Sequence, residues 1–324
     1  MKNEEMRNLK VWFLFLIFMI PTKSFAESIT LFHKAHVFFT GSQNRRSIES
    51  VVEFPQRERQ FERLILTIKL SCPDQGCDWW DRFGSISLLD DVKGEMEIFR
   101  FMTPYQTGAT WQLDVTDLRP LFTGRKKLKV FIDTWVGPGS SQGEGWLLDA
   151  SLDLKTGQPR TKVLDVVPLF HPTAVVYGDP LRAPSLNAKL SARIHSNKGR
   201  LWTWITGHGQ GNTENCAEFC PKNHTLSVGE YSMSRIIWRS NCEDTVTDSP
   251  QMGTWRYARA GWCPGAQVEP WIADLPRGFM DRNQELSVSW RPESYTNTNR
   301  YGYDGTLHTE PYHQVSALLV LFDE

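Results

Sequence analysis

The chain has 324 residues, with 36 basic against 37 acidic side chains and 13 Trp, 18 Phe and 8 Tyr. Its basic residues are scattered and no strong helix carries them in a stripe, which argues against nucleic acid as a partner. Tryptophan stands well above ordinary usage, and in a near-neutral protein an excess of indoles beyond the needs of a core points to platforms for carbohydrate.

The first 26 residues read as a signal peptide. Lys2, Arg7 and Lys10 precede an apolar run from Val11 to Ile20, and Ser24-Phe25-Ala26 puts small residues where a signal peptidase inspects the chain. That run is too short to span a bilayer, and no later segment is apolar enough to do so. The mature chain, from Glu27, is therefore expected to be secreted or periplasmic. It is slightly acidic, with 32 basic against 35 acidic residues once the leader is removed.

From Glu27 onward the pattern is strand, turn, strand. Leu64, Leu66, Ile68 and Leu70 alternate with Ile65, Thr67 and Lys69, the period of a strand with one better-buried face. Leu128, Val130 and Ile132 repeat the pattern, so Phe131, Asp133 and Trp135 share the opposite face. Asp114-Val-Thr-Asp117 reads as a capped turn before a short helical piece. Gly157 and Pro159 break the pattern between Leu154 and Lys162, which sets expected domains of 27–157 and 158–324. Beyond the break, Leu201–Thr206, Leu226–Gly229, Ile236–Trp238, Leu286–Trp290 and Val315–Phe322 read as further strands. Many short strands punctuated by Gly, Pro and Asn argue for an all-β chain of sandwiches or barrels.

Six cysteines behind a signal peptide invite disulfides. Read as sequential pairs they are 72–77, 216–220 and 242–263, and this order is favoured because the first two pairs stand so close in the chain. The rival zinc site lacks any Cys-x-x-Cys spacing.

Each cysteine cluster carries charge beside an aromatic ring. Ser71–Arg82 joins Cys72 and Cys77 to Trp79, Trp80, Asp81 and Arg82, with Pro73 and Gly76 to form the turn. Cys216-Ala-Glu-Phe-Cys220 holds Glu218 at the middle of a tight loop, with little room to turn inward. Arg259-Ala-Gly-Trp-Cys-Pro-Gly265 combines an arginine, Trp262 and a turn. His208 and His224 flank the Glu218 loop and are candidate metal ligands. No third ligand is evident, so polar hydrogen bonding is the simpler role and no metal or cofactor is expected. Asn223-His-Thr225 is a glycosylation sequon.

Cys-Asp-Trp-Trp-Asp-Arg at 77–82, Arg-Phe-Met-Thr-Pro-Tyr at 100–105, Asp-Val-Thr-Asp at 114–117, Asp-Thr-Trp at 133–135, Cys-Ala-Glu-Phe-Cys at 216–220 and Arg-Ala-Gly-Trp-Cys-Pro-Gly at 259–265 together resemble the peptide-N-glycosidase F family. The resemblance covers both halves of the mature chain in the family's order. It implies two antiparallel eight-stranded jelly-roll sandwiches packed side by side, with the site in the cleft between them. It also implies an amidase that cleaves between asparagine and the innermost N-acetylglucosamine of an N-linked glycan, leaving aspartate.

By the same resemblance, Asp81 matches the principal catalytic aspartate, Glu218 an essential glutamate and Arg259 an arginine at the site. Arg82, Trp135 and Trp262 match residues lining the chitobiose pocket, and the three sequential cysteine pairs match the family's disulfides. Asp133 stands where the enzyme that names the family has glutamate, and His208 where it has tryptophan. Asp133 thus enters as the third carboxylate and His208 as a substrate-binding position. The implied partners are N-glycosylated proteins or glycopeptides, met by a monomer, with no nucleic acid and no membrane after leader cleavage.

Amide hydrolysis needs an activated water, a proton for the departing amine and donors for the oxyanion. With no Ser-His-Asp arrangement in the sequence, carboxylates are the available proton handlers: Asp81 to activate water, Glu218 to orient it or the amide, and Arg82 or Arg259 to keep the acids ionised. Two carboxylates suit an endo-glycosidase equally, and a glycan-binding protein that lost turnover is a further alternative. Trp135 and Trp262 are the expected sugar contacts, and Trp80 is expected to pack rather than to face a ligand.

Overall fold

The computed structural model describes residues 26–56, 60–190, 196, 198–279, 285–299 and 309–323. The expected leader, apart from Ala26, lies outside the described residues. The first half of the chain supplies β1 (Ala26–Phe39), β2 (Asn44–Arg45), β3 (Ser47–Phe54), β4 (Phe61–Ser71), β5 (Phe83–Asp90), β6 (Gly94–Met102), β7 (Ala109–Asp114), β8 (Gly124–Ile132) and β9 (Trp146–Thr156). The second supplies β10 (Val163–Val176), β11 (Leu186–Leu190), β12 (Lys198–His208), β13 (Lys222–Val228), β14 (Tyr231–Ile237), β15 (Trp271–Asp274), β16 (Leu286–Pro292) and β17 (Tyr312–Phe322).

The strands form two antiparallel jelly-roll sandwiches. Sheets in the order β2-β1-β9-β4-β7 and β3-β8-β5-β6 make the first, and β10-β17-β12-β15 with β11-β16-β13-β14 make the second. The first sandwich carries the two-residue β2 in addition to eight longer strands. On β4 the alternation seen in the sequence is real: Leu64, Leu66, Ile68 and Leu70 are buried while Arg63 and Lys69 are exposed. Each buried aliphatic stabilises the fold by about 1.5–3 kcal/mol relative to exposure, so a slip of one residue would forfeit the stripe; the pattern therefore fixes the register.

β17 explains why the sandwiches stay together. Its buried residues alternate between two cores: Leu318, Val320 and Phe322 join the core of the first half, whereas Ala317, Leu319 and Leu321 join the second sandwich's own. Trp202 and Trp204 on β12 likewise face the first half, with Leu201 and Ile205 turned the other way. These two indoles are interface core, not sugar platforms.

Two further devices lace the halves. Residues 265–268 run along the edge of β6, where Met102 N donates to Ala266 O at 3.0 Å, Gly265 N to Met102 O at 3.1 Å and Val268 N to Arg100 O at 2.9 Å. This covers an otherwise open strand edge. Between the sheets, Arg100 and Glu97 are buried as a bidentate pair at 2.6 and 2.7 Å. Arg100 also donates to Thr206 Oγ1 and to the Gln314 carbonyl, while Ser316 Oγ donates to Glu97, so both charges are satisfied by β12 and β17.

Candidate active site

The three disulfides are Cys72–Cys77, Cys216–Cys220 and Cys242–Cys263. The first closes the loop that leads to Asp81. Residues 142–145 lie along this loop, with Trp79 N donating to Gln142 O, Asp78 N to Gly145 O and Glu144 N to Gly76 O. Gly143, at φ +95°, lies so close that a β-carbon there would stand 2.0 Å from Cys77 O. Only glycine allows the two loops to seat together.

Asp78, fully buried, is the anchor inside this loop. It accepts from Arg82 Nε at 2.8 Å, Thr134 Oγ1 at 2.6 Å and the Trp80 amide at 3.0 Å. The structural ion pair of the loop is thus Asp78–Arg82, which leaves the neighbouring Asp81 for other work. Trp79 and Trp80 are 44% and 51% exposed. The expectation that Trp80 packs is therefore corrected: the buried Asp78 takes the inward position and turns both indoles out.

Asp81 meets the second half of the chain at Arg259. The guanidinium Nη2 stands 3.8 Å from Asp81 Oδ2, and its Nε stands 3.3 Å from Glu218 Oε1. Arg259 is 1% exposed and fixed from behind, donating to the carbonyls of Tyr257 at 2.7 Å and Thr254 at 3.1 Å and to Thr254 Oγ1 at 3.2 Å. The indole of Trp262 lies beneath it, 4.7 Å from the guanidinium carbon to the ring centroid. The cation is held at one point between two acids from two sandwiches.

Glu218 does turn inward. Its carbonyl accepts from Ala260 N at 2.8 Å, which lays the small disulfide loop over Arg259 and aims the side chain at the guanidinium. Gly209, at φ +101°, turns its amide toward the Glu218 carboxylate. Burial, reinforced by the charge of Asp81, pushes Glu218 up to about 7 against the pull of Arg259 and that amide. Burial also raises Asp81, opposed by Arg259, by a hydrogen bond from Tyr105 and by Arg82.

Sequence reading missed two tyrosines. The Tyr105 hydroxyl sits 2.9 Å from Thr254 Oγ1 and reaches Asp81, so one side chain ties the acid to the loop that fixes Arg259. Burial and then the charge of Asp81 keep this phenol protonated. Tyr312, half-buried and stacked on His208, is raised in the same way, by burial and then by the charges of Asp133 and Glu218. Tyr105 falls inside a motif read from the sequence, but nothing in that motif says where the hydroxyl points.

Asp133 and Trp135 lie just past β8. The carboxylate pairs with Arg46 at 3.1 Å, and the same guanidinium lies 4.2 Å from the centroid of Trp135. Arg46 was invisible as a site residue because it lies far back in the chain, on the turn between β2 and β3. Trp135 is 53% exposed. Two other expected ligand contacts are corrected. Trp262 is 2% exposed and donates Nε1–H to Gly207 O at 2.8 Å. His208 is 7% exposed, stacked between Trp262 and Tyr312, with Nε2 2.8 Å from Thr206 Oγ1. Both support the site from beneath: His208 ends β12, and Trp262, beneath Arg259, is bonded to Gly207 of that strand. Burial, and then Arg100, pushes His208 down to about 3 and keeps it neutral. His224 lies apart, in the second core against Trp290 and His313.

Comparisons with known proteins agree with this architecture. Residues 177–304 match the family model described as Peptide-N-glycosidase F, C terminal. The chain is 28% identical over 273 residues to the peptide-N(4)-(N-acetyl-β-D-glucosaminyl)asparagine amidase F of Elizabethkingia miricola, covering 79% of this chain and 75% of that protein. A crystal structure of a peptide-N(4)-(N-acetyl-β-D-glucosaminyl)asparagine amidase superposes with a TM-score of 0.79 at 25% identity, over 92% of this chain and 96% of the other. PNGase F from Flavobacterium meningosepticum, described as a glycosylasparaginase, gives 0.78 at the same identity and coverage. The fold is also that of PNGF-II, at a TM-score of 0.75 and 15% identity, over 92% of this chain and 65% of that one. The family model, the curated relative and the solved structures all point to the peptide-N-glycosidase F family.

Proposed function

We propose that this chain is a glycoamidase that hydrolyses the amide between asparagine and the innermost N-acetylglucosamine of an N-linked glycan. The observation that carries the reading is the buried Arg259 set between Asp81 and Glu218. Asp81, whose ionised form Arg259, Tyr105 and Arg82 favour against the cost of burial, takes a proton from water as its oxygen adds to the asparagine carbonyl carbon. Glu218, pushed up to about 7, is available as an acid at neutral pH. It gives its proton to the amide nitrogen, the C–N bond breaks, and the products are aspartate and a glycosylamine.

Arg82 spends Nε and Nη2 on Asp78, which leaves Nη1 to meet the charge that develops on the carbonyl oxygen. Arg259, fully occupied, orders the acids instead. Trp135 offers the innermost sugars a stacking face, and Asp133, oriented by Arg46, serves the sugar rather than the amide. The sandwiches divide at 157–158 in this reading, so catalysis requires both domains. Three disulfides suit an oxidising compartment, consistent with export to the periplasm or the exterior.

Mass spectrometry of a purified N-glycopeptide after incubation decides the question. The reading expects loss of the whole glycan and conversion of asparagine to aspartate. One sugar left on asparagine would make the protein an endo-glycosidase, and an unchanged glycopeptide that nevertheless binds would make it a lectin-like relative. Asp81→Asn is expected to remain folded and to lose about 10²–10⁴-fold in rate.

A further inference from the structure

A groove separate from the Asp81–Arg259–Glu218 cluster is lined by Trp238, Trp271, Arg235, Arg239, Asn241 and Glu269 and has a volume of about 260 Å³. It adjoins a second of about 360 Å³, with Arg239, Asn241 and Glu269 common to both. We propose that the paired grooves are a second carbohydrate-binding site, taking pyranose residues of an oligosaccharide. The choice of ligand class rests on the glycan-directed reading above, whereas the site itself rests on its own geometry.

Trp238 follows the end of β14 and is half-buried, with no ring contact or hydrogen bond among the described residues. Trp271 opens β15, packs one part on the second core and gives the rest to the groove. Two indoles on one groove leave apolar area in water that a sugar's C–H face would cover. The polar rim supplies what its hydroxyls need. Arg239 donates from Nε to Asn241 Oδ1 at 3.1 Å and from Nη1 to Gln267 O at 2.7 Å, and its Nη2 has no partner among the described residues. Gln267, in the adjoining groove, has a buried Oε1 that meets no donor among the described residues. Arg235 forms no ion pair among them either. The Arg239 and Arg259 backbones exchange hydrogen bonds at 2.8 and 3.1 Å, so the groove stands directly behind the arginine of the catalytic cleft.

The test uses the full mature chain carrying Asp81→Asn and 5-fluorotryptophan, titrated with a free high-mannose oligosaccharide and followed by fluorine NMR. Signals are assigned by single Trp→Phe variants. Trp238 and Trp271 are expected to shift together and saturably, and Trp238→Ala with Trp271→Leu to weaken that binding by about fivefold or more. The same pair of substitutions is expected to leave hydrolysis of a short chitobiosyl peptide unchanged. No shift at either indole, or shifts confined to Trp135, overturns the proposal. Because binding is read without turnover, a failed hydrolysis assay leaves this result standing, and the reverse also holds.

Discussion

The Glu218 carboxylate lies 3.3 Å from Arg259 Nε, yet the net effect of its surroundings is to push Glu218 up to about 7. The guanidinium is shared with Asp81 and bound by the Thr254 and Tyr257 carbonyls, so it cannot compensate two buried acids at once. Burial therefore raises both carboxylates in spite of the one cation between them.

The raised Glu218 sets the pH profile. In the proposed mechanism Glu218 must carry its proton at turnover, so kcat is expected to fall as pH passes about 7. Glu218→Gln is expected to cut the rate by about 10²–10⁴-fold and to abolish the alkaline fall. Mass-spectrometric rates between pH 4 and pH 9 test this. An alkaline limb that survives in Glu218→Gln removes Glu218 as the acid.

The same shift has a stability consequence of opposite sign to the usual carboxylate. Folded Glu218 holds its proton up to about 7, whereas its ordinary value is 4.5. Its favourable contribution is complete below the ordinary value and is lost as pH rises through about 7. Glu218→Gln, isosteric and uncharged, is expected to be more stable than the parent at pH 8 by up to about 3 kcal/mol. Urea midpoints at pH 8 and pH 4 measure it, with the difference disappearing at the lower pH.

Two tryptophans expected to act alike should behave differently. Trp135 is exposed, so Trp135→Ala is expected to raise KM severalfold with little change in unfolding midpoint. Trp262 is buried beneath Arg259 and bonded to Gly207, so Trp262→Ala is expected to cost about 3–5 kcal/mol and to lower kcat as Arg259 loses its floor. Equal effects on KM alone would return Trp262 to the ligand-facing surface.

The buried imidazoles of the second core make that core acid-sensitive. His224 and His313 meet edge to face at 4.6 Å, and burial pushes His224 down to about 3 and His313 well below its ordinary value. Both remain neutral in the fold, while the unfolded chain gains their protons below the ordinary value of 6.5. Stability is therefore whole above 6.5 and declines by about 1.4 kcal/mol per pH unit for each imidazole as pH falls. The slope is best read in Glu218→Gln, where the opposing Glu218 contribution is gone. His208 is held neutral in the same way, so His224→Leu is expected to remove about a third of the imidazole slope, and an unchanged slope would refute the account.

How much of this was legible depended on whether the cause was local. The alternation on β4 and β8 was visible because one face of each strand meets one core. β10 was not, since Pro168 and Pro172 interrupt its pattern; the structure admits them because β10 is a sheet edge, with register shifts against β17 at 168–173. Trp202 and Trp204 alternate in the sequence with Leu201, Thr203 and Ile205, but nothing local says that the indole face meets another sandwich. At the site, the motifs located Asp81, Glu218 and Arg259, whereas depth decided the remainder. Whether Trp262 or Trp80 is the exposed indole follows from what lies beneath each, and Tyr105, Tyr312 and Arg46 reach their partners only through the packed fold.

Arg100 and Glu97 test that packing directly. Both are fully buried where β6 meets β12 and β17, and each charge is satisfied by the other and by Thr206, Gln314 and Ser316. Arg100→Met strands the Glu97 carboxylate in the interface and is expected to cost about 3–5 kcal/mol. The double variant Glu97→Met with Arg100→Met removes both charges and is expected to recover most of that loss, because the desolvation cost vanishes together with the attraction. Thr206, which accepts from Arg100, also holds His208 beneath the site, so the single variant should lower kcat as well. Denaturant midpoints for the parent, both single variants and the double variant complete the cycle. If Arg100→Met alone is neutral, the pair does not hold the sandwiches in register, and the cleft geometry depends on the 265–268 lacing and the apolar face of β17.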